Sequence, residues 1–486
     1  MMMRLDEYSN YDGLGLAQLV KDKEVTPKEL RDLALDAISL LNPKLNSVSQ
    51  VLKEDSENEL SKGIAKGPFE GVPFLIKELV LHKANIRTNM GSKLAEGLTF
   101  PVDSELMRRF KQAGLVTVGT TPTPEFGYNA TTEAVYYGPT KNPWNPAHSP
   151  GGSSGGSAAS VAAGIVPVAH ANDGGGSIRI PASCNGLVGL KPTRGRIPAG
   201  PFNSEPLNGI AIEFAVSKSV RDTAALLDAV SGPDIGCYGW AEPPTDSFVA
   251  QMNERPNKLK IALMKEPLTS VSVDEESIKE VERTARLCEE LGHEVVETAP
   301  SIDTEALSLA TLRIWTANIR HMINGVARML QRTPSPDNLE EGIWACYKYG
   351  ETITAEELLQ AIDINAKVSR AVGEFFTNYD VILSPVAAQK PLPLGTLNSN
   401  RKGLTAEEWT NQIFTYAPFT NLFNSTGTPA ISLPLGWSQD GLPIGMQFAS
   451  GFAKEGLLLS LAAQLEEAAA WENKRAPINA GTVSLA

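Results

Sequence analysis

The chain has 486 residues, of which 42% are hydrophobic and 20% are charged, and this composition is typical of a soluble globular protein with a large core. Its net charge of −13, without a basic stripe anywhere in the sequence, argues against nucleic acid or an anionic membrane as a partner. The four cysteines lie far apart and form no C-x-x-C spacing, which favours a reduced protein over a disulfide framework or a zinc site.

The N-terminal segment predicts no secretory signal. The first seven residues already include the acidic Asp6 and Glu7, and no apolar h-region follows them. No run of about 18 consecutive apolar residues occurs, so no membrane span is expected. We therefore expect a cytoplasmic protein.

The residues before position 120 predict helices and strands that form part of a sheet and its cover. The clearest helix start is Thr26-Pro27-Lys28-Glu29, a capping box with proline at the first helical position. Hydrophobic periodicity predicts helices over 14–21, 26–41, 53–62 and 104–113, and strands over 47–52, 71–79 and 115–119.

Two features of this region allow more than one interpretation. Lys77 follows directly on an apolar strand, and most such lysines extend to solvent. A buried Lys77 would instead have a depressed pKa and could act as a base. The polar loop over 120–133 contains Tyr128 and Asn129, and it is either a substrate-facing wall or an ordinary surface loop.

The residues over 149–196 contain two glycine-serine clusters. The first spans 151–156 and the second spans 173–179, and between them the sequence predicts a buried helix over 157–164 and a strand over 165–169. Glycine clusters cost conformational entropy, so both are expected to serve a backbone geometry. Each can present a serine hydroxyl and several backbone N–H groups to one point, as acyl-transfer chemistry requires.

The remaining sequence continues the α/β pattern. We expect helices over 219–231, 274–291, 304–330, 355–377 and 455–470, and strands over 260–263, 295–296, 379–383, 430–435 and 444–448. No internal repeat or interdomain linker is visible, so a single large domain with a mixed central sheet covered by helices is preferred over two domains.

The second cluster predicts a nucleophile at Ser177. Three glycines precede it, so the N–H groups of Gly174, Gly175, Gly176 and Ser177 could converge on one oxygen, aided by a helix that begins there. Asp173 and Arg179 flank the turn and are expected to pair as a structural brace. No motif identifies any of the five histidines as a base; His170 is best placed but fits a core histidine better. Lys77 is the alternative base, as in serine–lysine arrangements.

These residues resemble the amidase signature family of Ser–cis-Ser–Lys hydrolases. The chain contains GVPFLIKE, PGGSSGGSAA and DGGGSIRIPA in that order over 71–196, and GTPAISLP at 427–434. The resemblance implies one α/β amidase domain over 1–486, with helices on both faces of a mixed sheet. It places a signature core at 65–200 and a variable, substrate-facing region at 232–378.

The resemblance also implies roles for the polar residues. Ser177 would be the acylated nucleophile, Lys77 the ultimate base, and Ser153 the proton relay, with a cis peptide bond after Gly152. Ser154 would support them through hydrogen bonds, and no metal or organic cofactor is implied. We expect a small-molecule amide as the substrate and a homodimer as the assembly.

The residues at 169–173 and 177–183 are similar to those of bacterial 6-aminohexanoate-cyclic-dimer hydrolases. This region sets the chemistry and not the substrate, so a broader amide preference is expected. The glutaminyl-tRNA amidotransferase A subunits of the family differ from this chain at Gly174, Ile180 and Arg194, and this difference argues against a partner-dependent role.

Three other interpretations are weaker. Residues 151–155 match the G-x-S-x-G nucleophile elbow, but the preceding residues contain prolines and cannot form the central strand that an elbow follows. The S-x-x-K match at 399–402 lies in a polar loop without its partner motifs. Neither glycine cluster contains a phosphate-binding G-x-x-x-x-G-K-[ST] motif. The presence of Lys77, Ser153 and Ser177 together argues against a non-hydrolytic scaffold.

Overall fold

Eleven strands form one mixed sheet in the computed structural model, which describes residues 3–482. The strands are β1 Gln50–Val51, β2 Pro73–Lys77, β3 Val116–Thr121, β4 Val168–Asp173, β5 Val188–Lys191, β6 Ile212–Ser217, β7 Lys260–Leu263, β8 Glu294–Glu297, β9 Val381–Pro385, β10 Ala430–Trp437 and β11 Pro443–Ser450. Their order across the sheet is β1-β3-β2-β4-β6-β5-β10-β11-β9-β7-β8.

The direction of the strands changes across the sheet. Strands β3, β2 and β4 are parallel at one side, and β9, β7 and β8 are parallel at the other. Between them, neighbouring strands from β4 to β9 pair antiparallel. The mixed sheet expected from the sequence is therefore confirmed.

Helices flank this sheet, which confirms the expected α/β architecture. Within residues 3–482 the α-helices are α1 Leu5–Asn10, α2 Gly13–Lys21, α3 Pro27–Leu45, α4 Lys53–Ser61, α5 Glu105–Gln112, α6 Gly155–Ala162, α7 Arg179–Asn185, α8 Val220–Val230, α9 Phe248–Asn253, α10 Glu275–Glu290, α11 Thr304–Leu330, α12 Glu341–Thr352, α13 Ala355–Phe375, α14 Ala406–Tyr416, α15 Asn421–Thr426 and α16 Glu455–Ala469. No helix among these residues is long and apolar enough to cross a membrane.

Local sequence signals account for several helix ends. The capping box at Thr26 is present, because its backbone N–H donates to Glu29 and its hydroxyl accepts from the Glu29 N–H. Helix α3 continues past the predicted end at position 41. Leu45 is fully buried there and Asn46 ends the helix with a positive φ, so the apolar face extends for one more turn.

The strand predicted over 165–169 is displaced in the structure. Strand β4 begins at Val168 and extends to Asp173, so His170 lies within it. The hydrophobic pattern stops at position 169, but the strand continues because His170, Asn172 and Asp173 are buried polar residues with hydrogen-bond partners. Strands β5 and β6, which follow this segment, were not predicted.

The sheet brings the signature elements together at the carboxyl ends of two inner strands. Strands β2 and β4 are parallel neighbours, so Lys77 and Asp173, which are their last residues, lie at the same end of the two strands. Helix α6 begins at Gly155, immediately after Ser153 and Ser154, and its residues are buried against the sheet. The three predicted catalytic side chains therefore come from the ends of elements that the sheet aligns.

A buried ion pair attaches the signature region to the C-terminal helix. Arg196 Nε lies 3.0 Å from Glu455 Oε1 at the start of α16, and both side chains are buried. The same Glu455 oxygen accepts the Thr193 N–H at 3.0 Å. Breaking a buried pair leaves an uncompensated charge, which is far more costly than breaking a surface pair.

Replacing Glu455→Gln is therefore expected to lower the free energy of unfolding by about 3 kcal/mol. Urea denaturation followed by tryptophan fluorescence measures this change. The control is Glu467→Gln, which breaks the exposed Arg255–Glu467 pair and should cost less than about 1 kcal/mol. Equal effects of the two substitutions would contradict the assignment.

Candidate active site

Lys77 is fully buried at the end of β2, and its amine contacts three polar groups. Lys77 Nζ lies 2.7 Å from Ser153 Oγ, 2.9 Å from Ser154 Oγ and 2.5 Å from Asn172 Oδ1. Among the described residues, no carboxylate lies within 4.0 Å of this nitrogen. The sequence left open whether Lys77 extends to solvent or is buried, and the structure shows that it is buried.

Burial determines the protonation of this amine. Removal from water disfavours the charged form and lowers the pKa of Lys77 well below its ordinary value, while the more distant Glu213 and Asp173 act weakly in the opposite direction. A neutral amine has two N–H groups to donate and one lone pair that can accept a proton.

The partners of Lys77 determine where its lone pair points. Asn172 donates its amide N–H to the Leu79 carbonyl at 2.9 Å, so its amide oxygen faces Lys77 and can only accept. The Ser154 hydroxyl donates to the Asn172 carbonyl at 3.3 Å, which leaves its oxygen to accept from Lys77. Both N–H groups of the neutral amine are then donated, and its lone pair faces the Ser153 hydroxyl.

Asn172 was not identified from the sequence. It is one of three polar residues in β4 and comes directly before Asp173, and this cluster of polar residues next to an apolar run could have indicated a site. Its contact with Lys77 depends on the pairing of β4 with β2, and the two residues lie 95 positions apart in the chain. Local sequence patterns do not report such a contact.

Ser153 and Ser177 face the same cavity. The peptide bond between Gly152 and Ser153 is cis, as the family resemblance implies. Ser153 is almost fully buried, whereas Ser177 lies 9% exposed at the cavity surface. The structure thus brings together Lys77, Ser153 and Ser177. Ser154 is hydrogen-bonded to Lys77 and does not line the cavity.

The expected brace between Asp173 and Arg179 is present and fully buried. Arg179 Nε and Nη2 each lie 2.9 Å from a different oxygen of the Asp173 carboxylate. Burial alone would raise the pKa of Asp173, but the Arg179 guanidinium holds it below its ordinary value. Arg179 also donates to Asn424 at 2.6 Å and Gln447 at 2.8 Å, which joins the brace to α15 and β11.

Asp173 also changes the set of N–H groups that can face a substrate. The Gly176 N–H donates to Asp173 Oδ1 at 2.7 Å, so it is already used, contrary to the expectation that all four N–H groups converge on one oxygen. Within residues 3–482, the N–H groups of Gly174, Gly175 and Ser177 have no intramolecular acceptor. Helix α7 begins only at Arg179, two residues after the predicted start, because Asp173 also binds the Ile178 N–H.

A cavity of about 310 Å³ opens above Ser153 and Ser177. Helix α11, from the variable region expected to face the substrate, lines one side with Trp315 and Met322. The segments 79–100 and 202–213 line the other sides, and the sequence analysis did not predict either of them. A Cβ atom at Gly174 would lie 2.9 Å from Trp315 Cζ2, so glycine is needed for this close approach.

The loop over 120–133 was interpreted either as a substrate-facing wall or as a surface loop, and its candidate substrate-binding residues Tyr128 and Asn129 do not line this cavity. The Tyr128 hydroxyl is hydrogen-bonded to Thr410 at 2.8 Å, and its ring stacks on Trp315 with centroids 4.4 Å apart. Asn129 donates to the Leu397 carbonyl at 3.0 Å. The preceding Phe126 and Gly127 form the wall instead, and Tyr128 supports Trp315 from behind.

His170 is a core histidine. Its Nδ1 accepts the backbone N–H of Lys77 at 3.2 Å, and its Nε2 lies 3.3 Å from Glu213 Oε1. Burial lowers the pKa of this fully enclosed ring, which favours its neutral form. Within residues 3–482, no group of three or more histidine, cysteine or acidic side chains is arranged to hold a metal ion.

Comparison with known proteins gives one consistent result. The Amidase family model matches residues 29–459. The chain is 35% identical over 475 residues to 6-aminohexanoate-cyclic-dimer hydrolases of Pseudomonas sp. (strain NK87) and Paenarthrobacter ureafaciens, with 96% of both proteins covered in each case. A solved structure of 6-aminohexanoate cyclic dimer hydrolase has a TM-score of 0.91 at 34% identity, covering 97% of this chain and 99% of that one.

The Asp173–Arg179 brace generates a prediction with a defined pH dependence. Replacing Asp173→Asn should lower the free energy of unfolding by about 3–5 kcal/mol at pH 7, because the buried Arg179 loses its counter-charge. The folded pKa of Asp173 is depressed, so its stabilisation is present above the unfolded value of about 4 and is lost as the pH falls below it.

Urea denaturation at several pH values measures this difference. The gap between wild type and Asp173→Asn should stay constant from about pH 8 to pH 5 and begin to narrow near pH 4. The exposed Asp337→Asn serves as the control and should leave the midpoint unchanged. A gap that widens towards low pH would refute the assigned pairing.

Proposed function

Because this chain belongs to the amidase family, we propose that it hydrolyses a carboxylic amide through an acyl-enzyme on Ser177, with Ser153 and Lys77 as the proton relay. The observation that carries the mechanism is the buried Lys77 amine. Both of its N–H groups have obligate acceptors, in Asn172 and Ser154, and its lone pair is directed at Ser153. Such an amine is a base and not a fixed cation.

The first half of the reaction forms the acyl-enzyme. Ser177 Oγ attacks the amide carbonyl carbon while its proton passes to Ser153, whose own proton passes to Lys77. The resulting oxyanion is stabilised by the N–H groups of Gly174, Gly175 and Ser177, which are free to donate. Gly176 is excluded from this role, because its N–H is donated to Asp173.

The second half returns the proton and releases the acid. Lys77 gives its proton back through Ser153 to the leaving nitrogen, and the C–N bond breaks to release the amine. Water then attacks the ester carbonyl and loses its proton by the same relay. Cleavage of the ester bond returns the proton to Ser177 and releases the carboxylic acid, so the enzyme ends unchanged.

The substrate is proposed to be a small-molecule amide that fits the cavity over Ser177. That cavity is at the lower end of the volumes usual for small-molecule sites, and most of its walls are apolar. The similar proteins act, by their names, on a cyclic dimer of 6-aminohexanoate. The amidotransferase alternative is not favoured, because these full-length relatives are hydrolases.

Replacing Ser177→Ala is expected to abolish amine release, with a loss of at least about 10³-fold, because Ser153, the other serine that lines the cavity, is hydrogen-bonded to Lys77 and serves as the relay. Hydrolysis of an aryl amide by the purified chain, followed by amine release, measures this effect. In the wild type, mass spectrometry after rapid acid quench should find the acyl group on the peptide that contains Ser177.

The control for this test is Ser308→Ala, on the exposed surface of α11. It should retain full activity, and both variants should unfold at the wild-type urea concentration. An acyl group on a different residue, or equal turnover by Ser177→Ala and wild type, would refute the assigned nucleophile.

The pH dependence tests the role of Lys77. Protonation of the amine removes its lone pair, so kcat/KM should fall as the pH decreases through the depressed pKa of Lys77 and should be flat above it. Replacing Lys77→Ala should lower kcat by about 10²–10⁴-fold, and the residual rate should rise with pH as hydroxide replaces the base. A residual rate that is independent of pH would contradict a role in proton transfer.

A further inference from the structure

Glu213 lies beside the catalytic residues, and the mechanism does not use it. It is in β6 and is the register partner of Asn172 across the β4–β6 pair. Its side chain is only 6% exposed and lines the same cavity as Ser153 and Ser177. One carboxylate oxygen, Oε1, accepts the Leu81 N–H at 2.9 Å.

The negative charge of Glu213 has no cationic partner. Among the described residues, no lysine or arginine nitrogen lies within 4.0 Å of the carboxylate. The nearest ring nitrogen belongs to His170, whose burial favours the neutral form, and Lys77 donates its N–H groups elsewhere. A buried carboxylate without a counter-charge is costly, so it provides a strong attraction for a cation or a hydrogen-bond donor.

The second oxygen of Glu213 is available to a ligand. No described side chain or backbone N–H donates to Oε2, and Glu213 forms part of the cavity wall. The other acidic residue in the wall is Asp173, which Arg179 already neutralises.

The rest of the wall supplies no positive charge. Among the described residues, none that lines the cavity is a lysine or arginine, and the other titratable side chains of the lining are His82 and His321. Burial lowers the pKa of His82, which again favours a neutral ring. The walls are otherwise apolar except for a few serine and asparagine side chains, so the charge of the site is negative.

We propose that Glu213 selects the substrate: the cavity takes amides that carry a primary ammonium group on their acyl chain and rejects amides that carry a carboxylate. The ammonium would donate to Glu213 Oε2 and replace the missing counter-charge, while the apolar walls hold the methylene chain. This inference rests on the proposed amide hydrolysis at Ser177.

Three amides of equal length test the proposal: hexanamide, 6-aminohexanamide and the monoamide of adipic acid. All three have a six-carbon acyl chain and differ only at its last carbon, which is a methyl group, a CH₂–NH₃⁺ group or a carboxylate. For the wild type, kcat/KM for 6-aminohexanamide should exceed that for the adipic monoamide by at least about 100-fold, with hexanamide in between. Ammonia release measures all three.

Replacing Glu213→Gln removes the charge but keeps an oxygen that can accept the Leu81 N–H. This variant should reduce the ammonium-to-carboxylate ratio of kcat/KM to within about threefold. Its urea midpoint should equal or exceed that of the wild type, because a buried uncompensated charge is removed. The control is Glu205→Gln, which removes an exposed carboxylate outside the cavity and should keep the wild-type ratio.

A binding measurement separates failure of this proposal from failure of the proposed function. Calorimetry with Ser177→Ala should show 6-aminohexanamide binding at least about tenfold tighter than hexanamide, and the added Glu213→Gln should remove that difference. Unchanged selectivity in Glu213→Gln would overturn the proposal while leaving amide hydrolysis intact. An equal loss for all three amides together with a lower urea midpoint would also overturn it, since it would show that Glu213 only holds Leu81.

Discussion

The chemistry of this protein depends on keeping one amine out of water. Lys77 ends a buried strand beside β4, and its burial lowers its pKa well below the ordinary value of a lysine, which favours the neutral form. Burial alone would not determine which way the lone pair of the amine points. Asn172 and Ser154 supply that direction, because each can only accept from Lys77, and the lone pair is left for Ser153. The proposed proton relay therefore follows from the hydrogen-bonding valence of a buried amine.

A second constraint holds the glycine loop that leads to Ser177, the proposed nucleophile. The Asp173 carboxylate binds Arg179 and two backbone N–H groups, and the Arg179 guanidinium extends the contact to α15 and β11. A fully buried ion pair is tolerated only when its remaining hydrogen-bonding groups are satisfied, and here Asn424 and Gln447 satisfy them. The glycine loop before Ser177 is thereby held from one side, and its remaining N–H groups are left to face the cavity.

The sequence predicted the parts of the site that are local and missed those that depend on tertiary contacts. Glycine clusters, a capping box and an apolar strand leading to Lys77 are short-range patterns, so the α/β class and the candidates Ser177 and Lys77 could be inferred from them, while the role of Ser153 came from the family resemblance. Asn172, Glu213 and Trp315 could not, because they reach the site through strand pairing or helix packing over long chain separations. Tyr128 was misplaced for a related reason: its loop faces the cavity, but a kink at Phe126, which has a positive φ, turns Tyr128 towards Thr410.

Catalysis and selectivity meet at one register position of the sheet. Asn172 in β4 and Glu213 in β6 are paired residues, and one orients the base while the other gives the cavity its charge. Each also holds the segment after β2, Asn172 through the Leu79 carbonyl and Glu213 through the Leu81 N–H. A neutral residue at position 213 whose side-chain oxygen still accepts the Leu81 N–H would leave both of these hydrogen bonds in place. The proposed charge preference can therefore change at Glu213 while the hydrogen bonds of Lys77 to Asn172 and Ser154 stay in place.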